Sequence, residues 1–384
     1  MRRLPPQPPL TIQDKDLNTT EQVQEELSAR APGREPGMVS VIMPVRNESK
    51  AIRCSLQAVL AQDYPPEKLE VLVADGRSDD GTREILQAIA AEDGRVRIID
   101  NPARIMASGF NKALSQARGE FIVMMGGHTE ASPNYVSTCV RALWQGLAEC
   151  AGGITETRSE NNWAKAIALA LSSRFGVGPV PFRLDCAQQK YVDTVAFGVY
   201  TRRVIDRIGV LDEELVRNQD DEFNYRLRKQ GGRILLLPGI PARYSSRATL
   251  KSLWSQYFQY GYWKVRVLQK HPRQMQPRQF VPALFVSALV LSFLSWSLAP
   301  GTKWLALMLG GLYASASLAA SFGVALSSRK WRLTVLLPAV FATLHFAYGF
   351  GFLAGLAHFW NRWQISGTVP VPKRSAEVEP GGAG

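Results

Sequence analysis

Apolar residues in the first third of the chain fall into four short runs, at 39–43, 69–74, 96–99 and 121–125, each rich in Val, Ile, Leu or Met. Between them lie stretches at 48–61, 80–92 and 104–118 whose apolar positions recur at helical spacing. Short strands alternating with helices of this length predict a parallel α/β sheet. Ligands of such sheets bind beyond the carboxyl ends of the strands. The residues just after each run are therefore the candidates for chemistry.

The pattern changes near residue 280. No charged residue lies between Arg278 and Lys303, a gap of 24 positions, and the uncharged stretches 304–328 and 333–361 add 25 and 29 more. Each exceeds the roughly 20 residues that span a bilayer core, which predicts three transmembrane helices at 280–299, 304–327 and 333–357. The loop after the second holds Arg329, Lys330 and Arg332, whereas the loop after the first holds only Lys303. By the positive-inside rule the large N-terminal part is cytosolic. The tail, 358–384, then falls on the far side, although Arg362, Lys373 and Arg374 oppose that placement and leave a re-entrant third segment as the alternative.

Just before the first span, the segment 246–279 is dense in aromatic residues and reads as an amphipathic interface segment, with Trp254 and Tyr257 as headgroup-level anchors. Residues 1–37 are Pro-rich and polar with no apolar run of signal-peptide type, and are expected to be a disordered arm. The stretch 38–245 is left as the folded cytosolic domain.

Composition narrows the function classes. The 384 residues carry 45 Lys plus Arg against 33 Asp plus Glu, a net charge of +12, and no Lys/Arg block of nucleic-acid type occurs. Membrane lipid, not nucleic acid, is the expected partner of the basic excess. Cys54, Cys139, Cys150 and Cys186 lie far apart with no CxxC spacing, which argues against a disulfide scaffold or a zinc ribbon. The GxGxxG and GxxxxGK[ST] fingerprints are absent, so neither a dinucleotide-dependent dehydrogenase nor a P-loop ATPase is supported.

The first two strands end in other motifs. The first runs into Pro44-Val45-Arg46-Asn47-Glu48, and the second into Asp75-Gly76-Arg77-Ser78-Asp79-Asp80-Gly81-Thr82. Taken alone, Asp75-Gly76 is a turn, and Asp79 and Asp80 cap the next helix. In order and spacing, however, these segments resemble the PxxNE and DGxSxDGT motifs of family 2 glycosyltransferases. The resemblance implies a GT-A fold, a Rossmann-like nucleotide-sugar-binding domain followed by transmembrane helices. It also implies that Pro44, Arg46, Asn47, Glu48, Asp75 and Gly76 bind the nucleotide-sugar, with Asp75 accepting from the uracil of a UDP-sugar.

After the fourth strand that family carries Asp-x-Asp, which holds a divalent metal, Mn²⁺ or Mg²⁺, on the diphosphate. Here the residues are Gly126-Gly127-His128. They are similar to the Asp-Ala-His of succinoglycan-type exopolysaccharide glycosyltransferases, except that the first carboxylate is missing. His128 stands at the metal-ligand position, where imidazole suits Mn²⁺ better than Mg²⁺, and Glu130 offers a compensating oxygen. The alternative for His128 is a structural role at a strand end.

A third segment, Asn218-Gln219-Asp220-Asp221-Glu222, resembles the family's ED-x-[DE] helix start, which implies that Asp220 is the catalytic base of an inverting transfer. Asp221 is either an acceptor-side group or part of an acidic first turn complementing the helix dipole. Gly198 lies on the acceptor-side strand, either for close approach of a sugar or for packing. The aromatic segment is similar to the QxxRW segment of membrane glycosyltransferases, with Gln256 and Trp263 as acceptor-site positions and no Arg in the QxxRW place. Arg243 and Arg247 face either diphosphate or anionic lipid.

Together these features predict a bacterial inner-membrane enzyme that moves a sugar from a UDP-sugar to a lipid-linked saccharide or polyprenyl acceptor, in exopolysaccharide or cell-envelope glycan synthesis. Gly126 favours the alternative, a non-catalytic homologue acting as a scaffold in an assembly complex.

Overall fold

In a computed structural model of the chain, residues 36–158, 161–178, 188–245 and 249–363 are described. The expected N-terminal arm up to residue 35, together with Cys186, Arg247, Lys373 and Arg374, lies outside the described residues.

The first half follows the predicted alternation: β1 (Val39–Val45), α1 (Ile52–Leu60), β2 (Leu69–Asp75), α2 (Thr82–Glu92), β3 (Val96–Asp100), α3 (Met106–Leu114) and β4 (Phe121–Met124). These four strands are parallel in the order β3-β2-β1-β4. β2 is buried along its whole length and β1 nearly so, as expected of strands covered by helices on both faces.

The second half supplies β5 (Thr129–Ala131), α4 (Tyr135–Trp144), β6 (Cys150–Arg158), α5 (Asn162–Leu171), α6 (Arg174–Val177), β7 (Lys190–Tyr191), β8 (Val199–Thr201), α7 (Arg202–Ile208), α8 (Gln219–Lys229) and β9 (Ile234–Ser245). β8 pairs antiparallel with β4 and extends the sheet through β6, β9 and β5, so the whole is a nine-stranded mixed sheet. Its two faces bury separate cores. One is sealed by Ile52, Leu86 and Val136, the other by Phe110, Val204 and Phe223.

β9 crosses its neighbour with a bulge, the register to β6 shifting between Gly153 and Thr155. There the strand contains Pro238, Gly239 and Pro241, residues tolerated where a ladder is interrupted. A Cβ on Gly153 would lie 1.8 Å from the carbonyl oxygen of Ile240, so only glycine permits this crossing.

After β9 the chain is helical: α9 (Leu250–Lys270), α10 (Val281–Leu298), α11 (Lys303–Ser328) and α12 (Leu337–His358). α9 is the predicted interface segment. The last three are long and apolar enough to cross a bilayer.

Candidate active site

The loops after β1 and β2 are built on one another. The backbone of Asn47, in the left-handed region at φ 56°, donates to Ser78 Oγ at 2.9 Å. The Asn47 amide donates to Asp79 Oδ1 at 2.9 Å, and its Oδ1 accepts from the Asp79 N–H at 3.1 Å. Glu48 N–H donates to Thr82 Oγ1 at 2.8 Å, and Ser49 N–H to Asp80 at 3.1 Å. Asp80 also accepts from the Thr82 N–H and hydroxyl. The Thr82 hydroxyl leads the causes that hold its carboxyl far below the usual range, and the Ser49 N–H adds to it. Asp80 is thus the helix-start acceptor expected of it, whereas Asp79 is not: its carboxylate ties the two loops together through Asn47.

Asp75 closes β2 and is fully buried. Its Oδ1 accepts from the Ser78 hydroxyl at 2.6 Å and the Ser78 N–H at 3.2 Å. Its Oδ2 is buried without a hydrogen-bond partner, with the Arg83 guanidinium 3.4 Å away. A buried carboxylate oxygen left unpaired costs on the order of 1–3 kcal/mol, and a ligand N–H would complete it. Gly76 packs closely on the neighbouring loop: a Cβ there would fall 3.1 Å from Arg46 Cβ. Pro44 lies within β1 opposite Ala74, and Arg46 projects exposed from the strand end.

The end of β4 meets the end of β1. His128 Nδ1 and Glu48 Oε1 are 3.1 Å apart, with 43% and 29% of their side chains exposed. Among the described residues no group of three His, Cys, Asp or Glu side chains converges as a metal site. Glu48 and His128 fit part of a divalent-metal site: a hard carboxylate oxygen and an imidazole, adjacent and accessible. Glu130 is directed elsewhere, toward Arg158 at 3.3 Å.

Asp220 sits in the first turn of α8, preceded by Asn218 in the left-handed region at φ 63°. Its surface is open to solvent, yet protein crowds around it. That crowding, followed by the charge of Asp221, raises its carboxyl above the usual range, while backbone N–H groups and Lys264 counteract. A raised carboxylate pKa brings a base closer to the conditions in which it must accept a proton. Asp220 joins the rest of the rim through β8. Tyr200 lies within electrostatic range of it and donates to Asn224 Oδ1 at 2.9 Å. A Cβ on Gly126 would sit 3.4 Å from the ring of Phe197, at the entry to the same strand.

The remaining predicted positions have defined partners. Gly198 packs under Tyr200, whose ring a Cβ would approach to 2.8 Å, the packing role rather than an open face. Asp221 is paired with Lys264 and accepts from Gln274 at 3.0 Å. Gln256 donates to Tyr260 Oη at 2.9 Å and Trp263 to Gln259 at 3.1 Å, both along α9. Arg243 pairs with Glu156 at 2.9 Å.

Sequence reasoning missed Lys264, the buried cation of α9. The available signal was a lone Lys at the end of an aromatic run. It also missed Arg83, whose role emerges only from the facing of α2 onto β2.

A GT-A-like mixed sheet with a carboxylate-lined rim, followed by three apolar helices, defines a glycosyltransferase of the nucleotide-sugar-dependent fold. Residues 40–208 match the family model for glycosyl transferase family 2, and the chain carries that family's domain. It is similar to the succinoglycan biosynthesis protein ExoA of Rhizobium meliloti, 29% identical over 84% of this chain and 96% of the relative. It is also similar to a dolichyl N-acetyl-α-D-glucosaminyl phosphate 3-β-D-2,3-diacetamido-2,3-dideoxy-β-D-glucuronosyltransferase of Methanococcus voltae, 27% identical over 60% of this chain and 74% of that one. Among solved structures, the mannosyltransferase PcManGT from Pyrobaculum calidifontis, in complex with GDP-Man and Mn²⁺, shares the fold. It has a TM-score of 0.51 and 18% identity, over 88% of this chain and 94% of that one.

Proposed function

We propose that the protein transfers a sugar from a UDP-sugar to a lipid-linked saccharide or polyprenyl acceptor at the bacterial inner membrane, with its catalytic domain in the cytosol. The product class is exopolysaccharide or another cell-envelope glycan. The observation that carries this reading is the unpaired, fully buried Oδ2 of Asp75. A uracil ring offers an imide N–H of the right chemistry for it, and the cross-braced Asn47–Asp79 loops hold the receptor rigid.

Asp220 takes the proton of the acceptor hydroxyl as that oxygen bonds to the anomeric carbon. The bond to the nucleoside diphosphate breaks on the opposite face, which inverts the configuration. Glu48 and His128 would hold a divalent metal, which when bound offsets charge on the leaving diphosphate. Arg46 and Arg77, exposed beside the nucleotide loops, supply positive charge from the chain itself. Relatives named for succinoglycan biosynthesis and for a dolichyl-linked acceptor support the product and acceptor classes.

Calorimetric titration of UDP into the wild type and Asp75→Ala tests the nucleotide pocket. The reading predicts at least tenfold weaker binding by the variant; equal affinity would remove Asp75 from it.

A further inference from the structure

The three apolar helices stand in different relations to the catalytic domain. α10 and α11 expose large apolar side chains such as Leu291, Leu294, Leu312 and Phe322, whereas in α12 Leu337, Val340, Phe341, Leu344 and Phe352 are all buried. The difference traces to α9.

Both ends of α9 stay at the catalytic domain. β9 remains in register with β6 up to Ser245, opposite Arg158, and Thr249 already caps α9. The connection is therefore no longer than about 14 Å. At the other end, Lys264 pairs with Asp221, Lys270 with Asp212, and His271 Nε2 lies 2.9 Å from Glu222. A helix of 21 residues, roughly 31 Å long, is thus pinned to the same domain at both ends and lies along it.

α12 runs beside α9 in the same direction. A Cβ on Gly261 would lie 2.1 Å from Tyr348 O, one on Gly351 2.1 Å from Phe258 O, and one on Gly355 2.5 Å from Tyr262 O. The Trp254 and Phe350 rings are 6.3 Å apart. Gln269 donates to Phe359 O at 2.7 Å, and Arg266 to Arg362 O at 2.9 Å. Across these six pairs the residue numbers differ by 87 to 96, as two helices aligned in parallel require. α12 also touches the domain toward each end: His345 Nε2 lies 2.9 Å from Phe175 O beside α6, and Arg362 lies 3.7 Å from Glu214. A helix standing across a bilayer would carry one end about 30 Å from the domain.

We infer that α12 does not cross the membrane but lies with α9 as a platform in the headgroup layer, between the catalytic domain and a lipid-facing α10–α11 hairpin. The chain then crosses twice, and the segment after α12 returns to the side of the catalytic domain. Charge agrees: Arg329, Lys330, Arg332, Arg362, Lys373 and Arg374 all fall on one side, with Lys303 alone on the other. α12 is apolar because it is enclosed, which is why its composition reads as a span.

The test is labelling by a membrane-impermeant maleimide in right-side-out and inverted vesicles. The single-cysteine variants are Thr20→Cys, Gly301→Cys and Ser375→Cys, with Cys54 and Cys186 replaced by Ser. The inference predicts that Ser375→Cys labels in the same vesicles as Thr20→Cys, and Gly301→Cys in the opposite ones. Labelling of Ser375→Cys together with Gly301→Cys would establish three crossings and overturn it.

Discussion

Lys264, buried on α9, donates to the carboxylate of Asp221, the residue next to Asp220. A cation on the membrane-side helix therefore compensates the charge that most directly opposes ionisation of the candidate base, after the crowding of protein around it. The membrane platform and the catalytic turn are one electrostatic unit.

Lys264→Met leaves Asp221 uncompensated, at a stability cost of about 2 kcal/mol, and drives the Asp220 carboxyl further upward. The expected result is an acid limb of the kcat/KM profile displaced to higher pH, with activity recovering at alkaline pH. A uniform loss at every pH would mean that Lys264 serves packing alone.

Asn47→Ala removes both hydrogen bonds to Asp79, each about 1 kcal/mol, and puts alanine at φ 56°, roughly 1 kcal/mol more. Asn47→Gly removes the bonds but tolerates the backbone. Thermal unfolding should rank wild type above Asn47→Gly and that above Asn47→Ala, with KM for the donor raised in both variants. Equal unfolding temperatures for the two would show that the left-handed backbone contributes nothing.

Much of this site was legible because parallel strands buried on both faces write long apolar runs, and the residues after β1 and β2 come directly after those runs. The other half of the sheet was not. β5 and β8 have three residues each, too few to show a period of two. β9 contains two prolines that argue against a strand until the bulge beside Gly153 is seen. Asp79 reads as a cap because its partner, Asn47, is 32 positions away. α12 reads as a span because hydropathy cannot distinguish lipid from a sandwich of helices.

Gly126→Asp restores a carboxylate beside His128. The new Cβ would lie 3.0 Å from Thr129 Oγ1 and 3.4 Å from Phe197, so a displacement of a few tenths of an ångström admits it. With Glu48 and His128 it completes a three-donor site, and Mn²⁺ affinity measured by electron paramagnetic resonance should rise at least tenfold. Unchanged affinity would place the metal elsewhere or nowhere.

Because crowding raises the Asp220 carboxyl, the folded state favours its protonated form. That contribution is complete below the unfolded carboxylate value and is lost as pH rises through the raised one. Asp220→Asn should therefore unfold at a higher temperature than wild type at pH 7, the difference closing in acid. A lower unfolding temperature at pH 7 would contradict an ionised, crowded Asp220.

The most direct test is transfer of label from a panel of UDP-sugars into extracted lipid by membranes containing the wild type or Asp220→Asn, each with Mn²⁺ and with EDTA. The expected result is transfer by the wild type from one donor and none by Asp220→Asn, with UDP binding retained by both. Transfer by Asp220→Asn at the wild-type rate, or silence of the wild type across the panel despite UDP binding, would contradict a catalytic Asp220 in a UDP-sugar transferase.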